Sequence, residues 1–230
     1  MSTVLPGPQF SQQIVVSAPI PTYAYVQFAT YFVPVEVGAV RFKQLSDAMK
    51  TMFILCIVSV LDLSLELVLN RLGIHNLFMD DLFLPIEVSF LGAVFFLGVR
   101  SRKARTVIVG SALGFLVVWV IDKIYFDNPD SINSWMSMAS RVVDTFMALV
   151  VCQFAVRDHG GTAVDPSIEW VAAGAIVYSV GTFLIFGLGN QLMELGVQYF
   201  TAAWYINWTL AIVSNVLFTK GLLCKPLPTT

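Results

Sequence analysis

The sequence has little charge. Charged residues make up 12% of its 230 residues, whereas 57% are hydrophobic and the mean hydropathy is +0.77. A soluble globular domain carries about 25% charged and about 45–50% apolar residues. This shortage excludes an ordinary soluble domain and indicates that most of the chain contacts lipid, so the lipid bilayer is its first expected partner. The net charge of −2 excludes the basic face that nucleic-acid binding needs.

Histidine and cysteine are also scarce. The two histidines, His75 and His159, lie in predicted loops, and no Ser/His/Asp set can be assembled inside the membrane. We therefore predict that the protein is not an enzyme and needs no metal ion or cofactor. The cysteines have neither metal-ligand nor redox spacing, and they are interpreted as small buried residues; they are Cys56, Cys152 and Cys224.

Long apolar segments dominate what is present. A helix needs about 20 predominantly apolar residues to cross the hydrocarbon core. The sequence therefore predicts an all-α, polytopic membrane protein with a bundle of seven transmembrane helices. Pro21 and Pro34 bracket the first span, and Glu36 lies inside it. The predicted spans are 22–41, 51–69, 83–99, 106–124, 134–156, 168–189 and 198–220.

Lysine and arginine predict the orientation, because they accumulate in cytoplasmic loops. Ten of them fall on one side of the predicted topology, and only Arg71 and Lys123 fall in loops on the other. We expect a multi-pass protein of the cell (inner) membrane, with its N-terminus outside and its C-terminus inside. The domains are then an extracytoplasmic segment 1–21, without a cleaved signal peptide, a transmembrane domain 22–220 and a short cytoplasmic tail 221–230.

The interior of the seventh span contains no lysine; only Lys220 stands at its cytoplasmic end. A retinal Schiff base of the rhodopsin type therefore has no attachment point, although the topology would match. The cytoplasmic loops are too short for a kinase or cyclase module. Any soluble catalytic output must accordingly belong to a partner protein.

Ionisable residues inside spans are costly, and each is a functional-site hypothesis by default. Asp62 and Glu66 share one face of span two, Glu87 begins span three, and Arg141 and Asp144 are spaced to pair in span five. The topology places all five in the outer half of the bundle. This cluster is interpreted as an outward-facing site for a ligand, an ion or a proton. The alternative is a structural polar network in which Arg141 bridges spans two, three and five.

A second polar stripe follows span seven. Trp204, Asn207, Trp208 and Asn215 recur at helical spacing, with the small Ala211 between the asparagines. The stripe either forms the far wall of the same cavity or serves as interhelical hydrogen bonding and an interfacial aromatic belt. The predicted ligand-binding residues are Asp62, Glu66, Glu87, Arg141, Asp144, Trp204 and Asn207.

Two smaller features carry predictions of packing. Gly110 and Gly114 form a small-xxx-small pair in span four, which predicts close helix contact within the subunit or in a dimer. Glu36 lies near Arg41 at the inner end of span one, and the two are expected to form a local ion pair.

The segment VLDLSLELVLNRLGIHNLFMDDLFLPIEVSFLGAVFF resembles a pattern of uncharacterised bacterial seven-helix membrane proteins of a sensor-like kind. The matching positions are Glu66, Gly73, Asn76, Pro85 and Glu87. RFKQLSDAMKTM, DPSIEWVAAGAIVYSVGTFLIFG and NWTLAIVSNVLFTKGLLC are similar as well. The resemblance implies a stand-alone seven-helix module of the kind found fused to, or beside, bacterial sensor kinases. Asp62, Arg141 and Asp144 are not part of that pattern.

Three functions remain open. The first is a sensor or receptor-like module that binds a small ligand or ion from outside and signals through a protein partner. The second is an accessory or structural subunit of a larger membrane complex, such as a respiratory or photosynthetic assembly. The third is a small proton- or ion-coupled transporter, for which the inner half offers few polar residues beyond Glu36, Gln153 and Thr219.

Overall fold

The computed structural model describes residues 22–74, 77–125, 134–157 and 164–224, and it is all-α. Each of the seven predicted spans corresponds to a long helix, although 83–99 and 168–189 run one or two residues past its end. A short 3-10 helix, Phe42–Gln44, and the seven-residue α7 connect longer elements. The predicted segment 1–21, most of the tail, and His75, Asn76 and His159 lie outside the described residues. The helices are α1 Thr22–Arg41, α2 Asp47–Arg71, α3 Leu77–Gly98, α4 Arg102–Tyr125, α5 Ser134–Arg157, α6 Pro166–Gly187, α7 Gly189–Leu195 and α8 Val197–Leu223.

Six of these helices, α2 to α6 and α8, are long and apolar enough to cross a membrane. They make a multi-pass membrane protein the natural interpretation of the fold. Helix α1 has the length, with 20 residues, but it is not among the six. Gln27, Pro34 and Glu36 dilute its apolar character.

Polar residues and glycines mark where the helices begin and end. The hydroxyl of Ser46 accepts from the backbone N–H of Met49 at the start of α2, and Asp165 caps α6. Gly73 follows α2 with φ +69° and Gly196 separates α7 from α8 with φ +128°, both in the left-handed region that glycine adopts without strain.

Helices α1 and α8 lie side by side and run in the same direction. The hydroxyls of Tyr23 and Thr209 are 3.1 Å apart, near the start of α1 and midway along α8. Near the end of both, Arg41 Nη1 donates to the carbonyl of Leu222 at 2.7 Å. The start of α1 and the end of α8 therefore lie at opposite ends of the bundle, which is the relation that an odd number of spans produces.

The contact of Arg41 with α8 replaces the ion pair predicted with Glu36. No ion pair of Glu36 occurs among the described residues, and its side chain is exposed. A free carbonyl at the end of α8 attracts a cation because the last helical carbonyls have no partner within the helix. The prediction of a local Glu36–Arg41 pair was therefore wrong.

Glycines allow close approach between several helices. A Cβ atom at Gly98 would lie 2.3 Å from Ile168, and one at Gly174 would lie 2.6 Å from Phe218. These contacts bring α3 against α6 and α6 against α8. Gly110 and Gly114 behave differently, because a Cβ atom there would meet nothing within 4 Å in the described part of the chain. The described part of the subunit thus does not make the predicted close contact at this pair, and the dimer stays a prediction.

The apolar core lies in the second halves of α3 and α5, toward the end of the bundle where these two helices finish. Val88, Val94 and Phe95 of α3 are fully buried, together with Met147 and Val151 of α5. The polar groups are concentrated nearer the start of α5. The two halves of the bundle therefore differ in polarity: one is filled mainly by apolar side chains, and the other contains buried charged groups.

Candidate functional site

Arg141 is the centre of the buried charge. It lies about two turns into α5 and is 5% exposed. Its Nη1 and Nη2 atoms donate to the two carboxylate oxygens of Glu87 in α3, at 2.8 and 2.7 Å. This paired geometry is the strongest form of arginine–carboxylate contact and fixes the orientation of both groups. The ion pair joins α3 to α5 inside the bundle.

Aromatic rings from α6 cover the guanidinium. The Cζ atom of Arg141 lies 4.9 Å from the ring centre of Tyr178 and 5.4 Å from that of Phe186. Both distances fall within the range in which a ring face attracts a cation. Trp204 of α8 packs on Phe186, with ring centres 5.7 Å apart. The predicted site residue Trp204 therefore reaches Arg141 only through Phe186.

Asp144 lies one turn further along α5 and is completely buried. Its Oδ2 atom is 3.7 Å from Nη1 of Arg141, which is an ion-pair distance but too long for a hydrogen bond. Both oxygens of Asp144 lack a hydrogen-bond partner among the described residues, and so does Nε of Arg141. The predicted proximity of Arg141 and Asp144 is real, but it leaves three buried polar atoms unsatisfied.

Asp62 and Glu66 of α2 belong to a neighbouring group of carboxyls. Glu66 lies within electrostatic range of Asp80 in α3 and of Asp62. Asp62 in turn lies within electrostatic range of Asp80 and Glu87. This group of carboxyls therefore adjoins Glu87, the partner of Arg141.

The bridge suggested between Arg141 and span two does not occur among the ion pairs of the described residues. Arg141 pairs instead with Glu87 and Asp144. The group formed by Asp62, Glu66 and Asp80 still comes near Arg141, because Asp80 is within electrostatic range of the guanidinium. The predicted cluster is therefore two adjoining groups that meet at α3.

Sequence reasoning missed Asp80 and Asp81, which it assigned to an outer loop. Helix α3 begins at Leu77, so both aspartates are helical. Asp81 forms an ion pair with Lys123 of α4, and the carbonyl of Asp81 accepts from Trp119 Nε1 at 3.2 Å. The seven-residue spacing of Asp80 and Glu87 was the available signal, because it places both on one helix face.

Helix α1 also faces the charged cluster. Tyr31 hydrogen-bonds Gln27 of the same helix and lies within electrostatic range of Arg141, Glu87 and Tyr178. Gln27 is buried. Sequence reasoning assigned no residue of α1 to the site, because no local signal in the sequence places Tyr31 beside charged residues of α3 and α5.

The polar stripe of α8 divides between two neighbours. Asn215 Nδ2 donates to Thr30 of α1 at 3.0 Å, which matches the interhelical hydrogen-bonding interpretation. Asn207 differs, since its buried Oδ1 atom has no hydrogen-bond partner among the described residues. The stripe thus contacts α1 through Asn215 and α6 through Trp204, rather than forming one wall.

Two further results limit what this site resembles. Among the described residues, no three His, Cys, Asp or Glu side chains are arranged to hold a metal ion. No family model, curated protein or solved structure matches the chain. The likeness to bacterial seven-helix proteins therefore stays a prediction, and the function must be argued from the site alone.

Proposed function

We propose that the protein is a receptor-like membrane module whose buried polar cluster binds a small ligand or ion from outside. In this proposal α1 is a seventh span, the N-terminus is outside and the C-terminus is inside. The parallel arrangement of α1 and α8 supports the odd number of spans. The ten lysines and arginines of the predicted inner side support the orientation.

One observation carries the proposal: Asp144 is completely buried, and neither its carboxyl oxygens nor Nε of Arg141 has a hydrogen-bond partner among the described residues. A network that only holds helices together satisfies its buried polar groups, because each unsatisfied group costs about 1–3 kcal/mol, and more when it is charged. Unpaired donors and acceptors at one place are typical of a site whose partner comes from elsewhere.

The arrangement also explains how binding could change the bundle. Arg141 contacts α3 through Glu87 and α6 through Tyr178. A ligand that competes for the guanidinium would therefore alter two helix contacts together. Because the described chain leaves little outside its helices, the change would be transmitted to a protein partner.

Thermal stability in detergent tests the proposal. The probes are sodium and potassium salts, short carboxylic acids and primary amines, each added to purified protein. We expect at least one probe class to raise the unfolding midpoint of the wild type, and Asp144→Asn and Glu66→Gln to reduce that rise. Glu36→Gln is the matched control, because Glu36 is exposed and forms no ion pair among the described residues.

If no probe class raises the midpoint, or if the site variants respond as fully as Glu36→Gln, the receptor proposal fails. The second candidate, a subunit of a larger membrane complex, is favoured by the uncovered pair Gly110 and Gly114 on α4. Purification in mild detergent distinguishes it, because it requires other subunits to co-purify in fixed proportion.

A further inference from the structure

The Arg141 guanidinium offers two edges to carboxylates, and only one of them is used. Glu87 occupies the end formed by Nη1 and Nη2. The other edge is formed by Nε and Nη2, and its Nε has no hydrogen-bond partner among the described residues. Asp144 Oδ2 is instead 3.7 Å from Nη1, which has a second N–H beside the one that Glu87 accepts. Asp144 is thus beside the guanidinium without a hydrogen bond to it.

An ionised Asp144 would be unstable in this buried position, where its oxygens accept no hydrogen bond from the described residues. Burial of an unpaired carboxylate is far more costly than burial of the neutral acid, so an ionised group either binds a cation or takes up a proton. The three charged side chains together would carry a net negative charge, because Glu87 already neutralises Arg141. Asp144 therefore fits its surroundings as the neutral acid.

The neighbouring helices add one further carboxyl near this group, because Asp80 of α3 lies within electrostatic range of Arg141. The charged groups acting on Asp144 in the described part of the chain are Glu87 of α3 and Arg141 of its own helix. Helix α4 also packs against α5 and contributes none to this pair. From α6 and α1, Tyr178 and Tyr31 face Arg141 as neutral phenols.

We propose that Asp144 is a proton-binding site: the acid is protonated when apart from Arg141, and its carboxylate closes on Nη1 of Arg141 after the proton leaves. The O–H bond of Asp144 breaks, the proton passes to a base of the aqueous phase, and an N–H···O contact forms between Nη1 and Asp144. No electron is transferred. The inference goes beyond the proposed function, because it concerns proton binding and holds whether or not another ligand exists.

Infrared spectroscopy of the purified protein, labelled with carbon-13 at its aspartate carboxyl groups, tests the inference. At neutral pH the wild type is expected to show one protonated-acid carbonyl band more than Asp144→Asn, and this band is expected to disappear as the pH is raised. Asp62→Asn is the matched control, which keeps the Asp144 band. Identical protonated-acid spectra for the wild type and Asp144→Asn at neutral pH overturn the inference.

Thermal unfolding gives an independent readout that does not depend on band assignment. Asparagine has nearly the shape of neutral aspartic acid, so Asp144→Asn is expected to lower the midpoint at neutral pH much less than Glu87→Gln does. An ionised Asp144 predicts the opposite, because its loss would remove a charge partner of Arg141. A variant that fails to fold, or loses as much stability as Glu87→Gln, therefore also contradicts the proton site.

Discussion

Replacing Glu87 by glutamine removes the charge partner of Arg141 while keeping the size of the side chain. Arg141 is 5% exposed and donates both of its short hydrogen bonds to Glu87. Breaking a buried ion pair at one partner costs about 3–5 kcal/mol, because the other charge stays buried without compensation. The amide oxygen of glutamine can still accept one hydrogen bond, so the lower end of this range applies.

This loss converts into a measurable change of temperature. A protein of this size shifts its unfolding midpoint by about 2–4 °C for each kcal/mol, so a loss of about 3 kcal/mol lowers it by about 6–12 °C. Purified protein in detergent is heated in steps, and the fraction that still elutes as a monodisperse peak is recorded. The control Glu36→Gln, at an exposed position of α1, is expected to change the free energy of unfolding by no more than about 0.5 kcal/mol.

The double variant Glu87→Gln with Arg141→Met makes the test specific for the uncompensated charge. Replacing both partners of a buried pair is often neutral, so the double variant is expected to recover most of the loss. Equal midpoints for Glu87→Gln and Glu36→Gln would refute the reasoning. So would a double variant that is less stable than Glu87→Gln alone, since the damage would then not come from a buried positive charge.

Three further predictions use other parts of the bundle. Gly98→Ala is expected to lose about 1–3 kcal/mol of stability by overpacking against Ile168, whereas Gly114→Ala is expected to be neutral or to gain up to about 1 kcal/mol, as melting curves of the pair will show. Asp81→Asn is expected to cost less than Glu87→Gln, because Lys123 is 21% exposed and can turn to water; the same melting assay compares them. A reporter that is active only outside the cytoplasm is expected to give signal when inserted after Gly73 and none when inserted after Ser101; the reverse pattern would refute the proposed orientation.

Hydropathy and turn residues were enough to predict where the helices lie. All seven predicted spans coincide with long helices, and 83–99 and 168–189 run only one or two residues past the end of theirs. Apolar length and flanking polar residues are local properties of the chain, so the sequence is enough to predict them. The start of α3 was predicted too late, since Asp80 and Asp81 interrupt the apolar run although they are helical. Their partners Glu66 and Lys123 lie on other helices, and a hydropathy pattern contains no information about such partners.

The candidate site was predicted in part for the same reason. The spacing of Arg141 and Asp144 within one helix predicted their proximity, which the structure shows at 3.7 Å. The rings of Tyr178 and Phe186 over the guanidinium depend on how α6 is rotated against α5, and this rotation follows from packing rather than from any local motif. The wrong Glu36–Arg41 pair shows the converse, because Arg41 found a better acceptor in a helix that lies 181 positions away in the sequence.

The parallel contact of α1 and α8 has a consequence for assembly during synthesis. Tyr23 and Thr209, which meet in the finished bundle, are separated by 186 positions. Helix α1 is the first described helix to leave the ribosome and its neighbour α8 is the last, so the polar side chains of α1 wait for their partners while five other long helices are made. The bundle closes only with its final helix, and any chain that stops short of α8 leaves its least apolar helix exposed to quality control in the membrane.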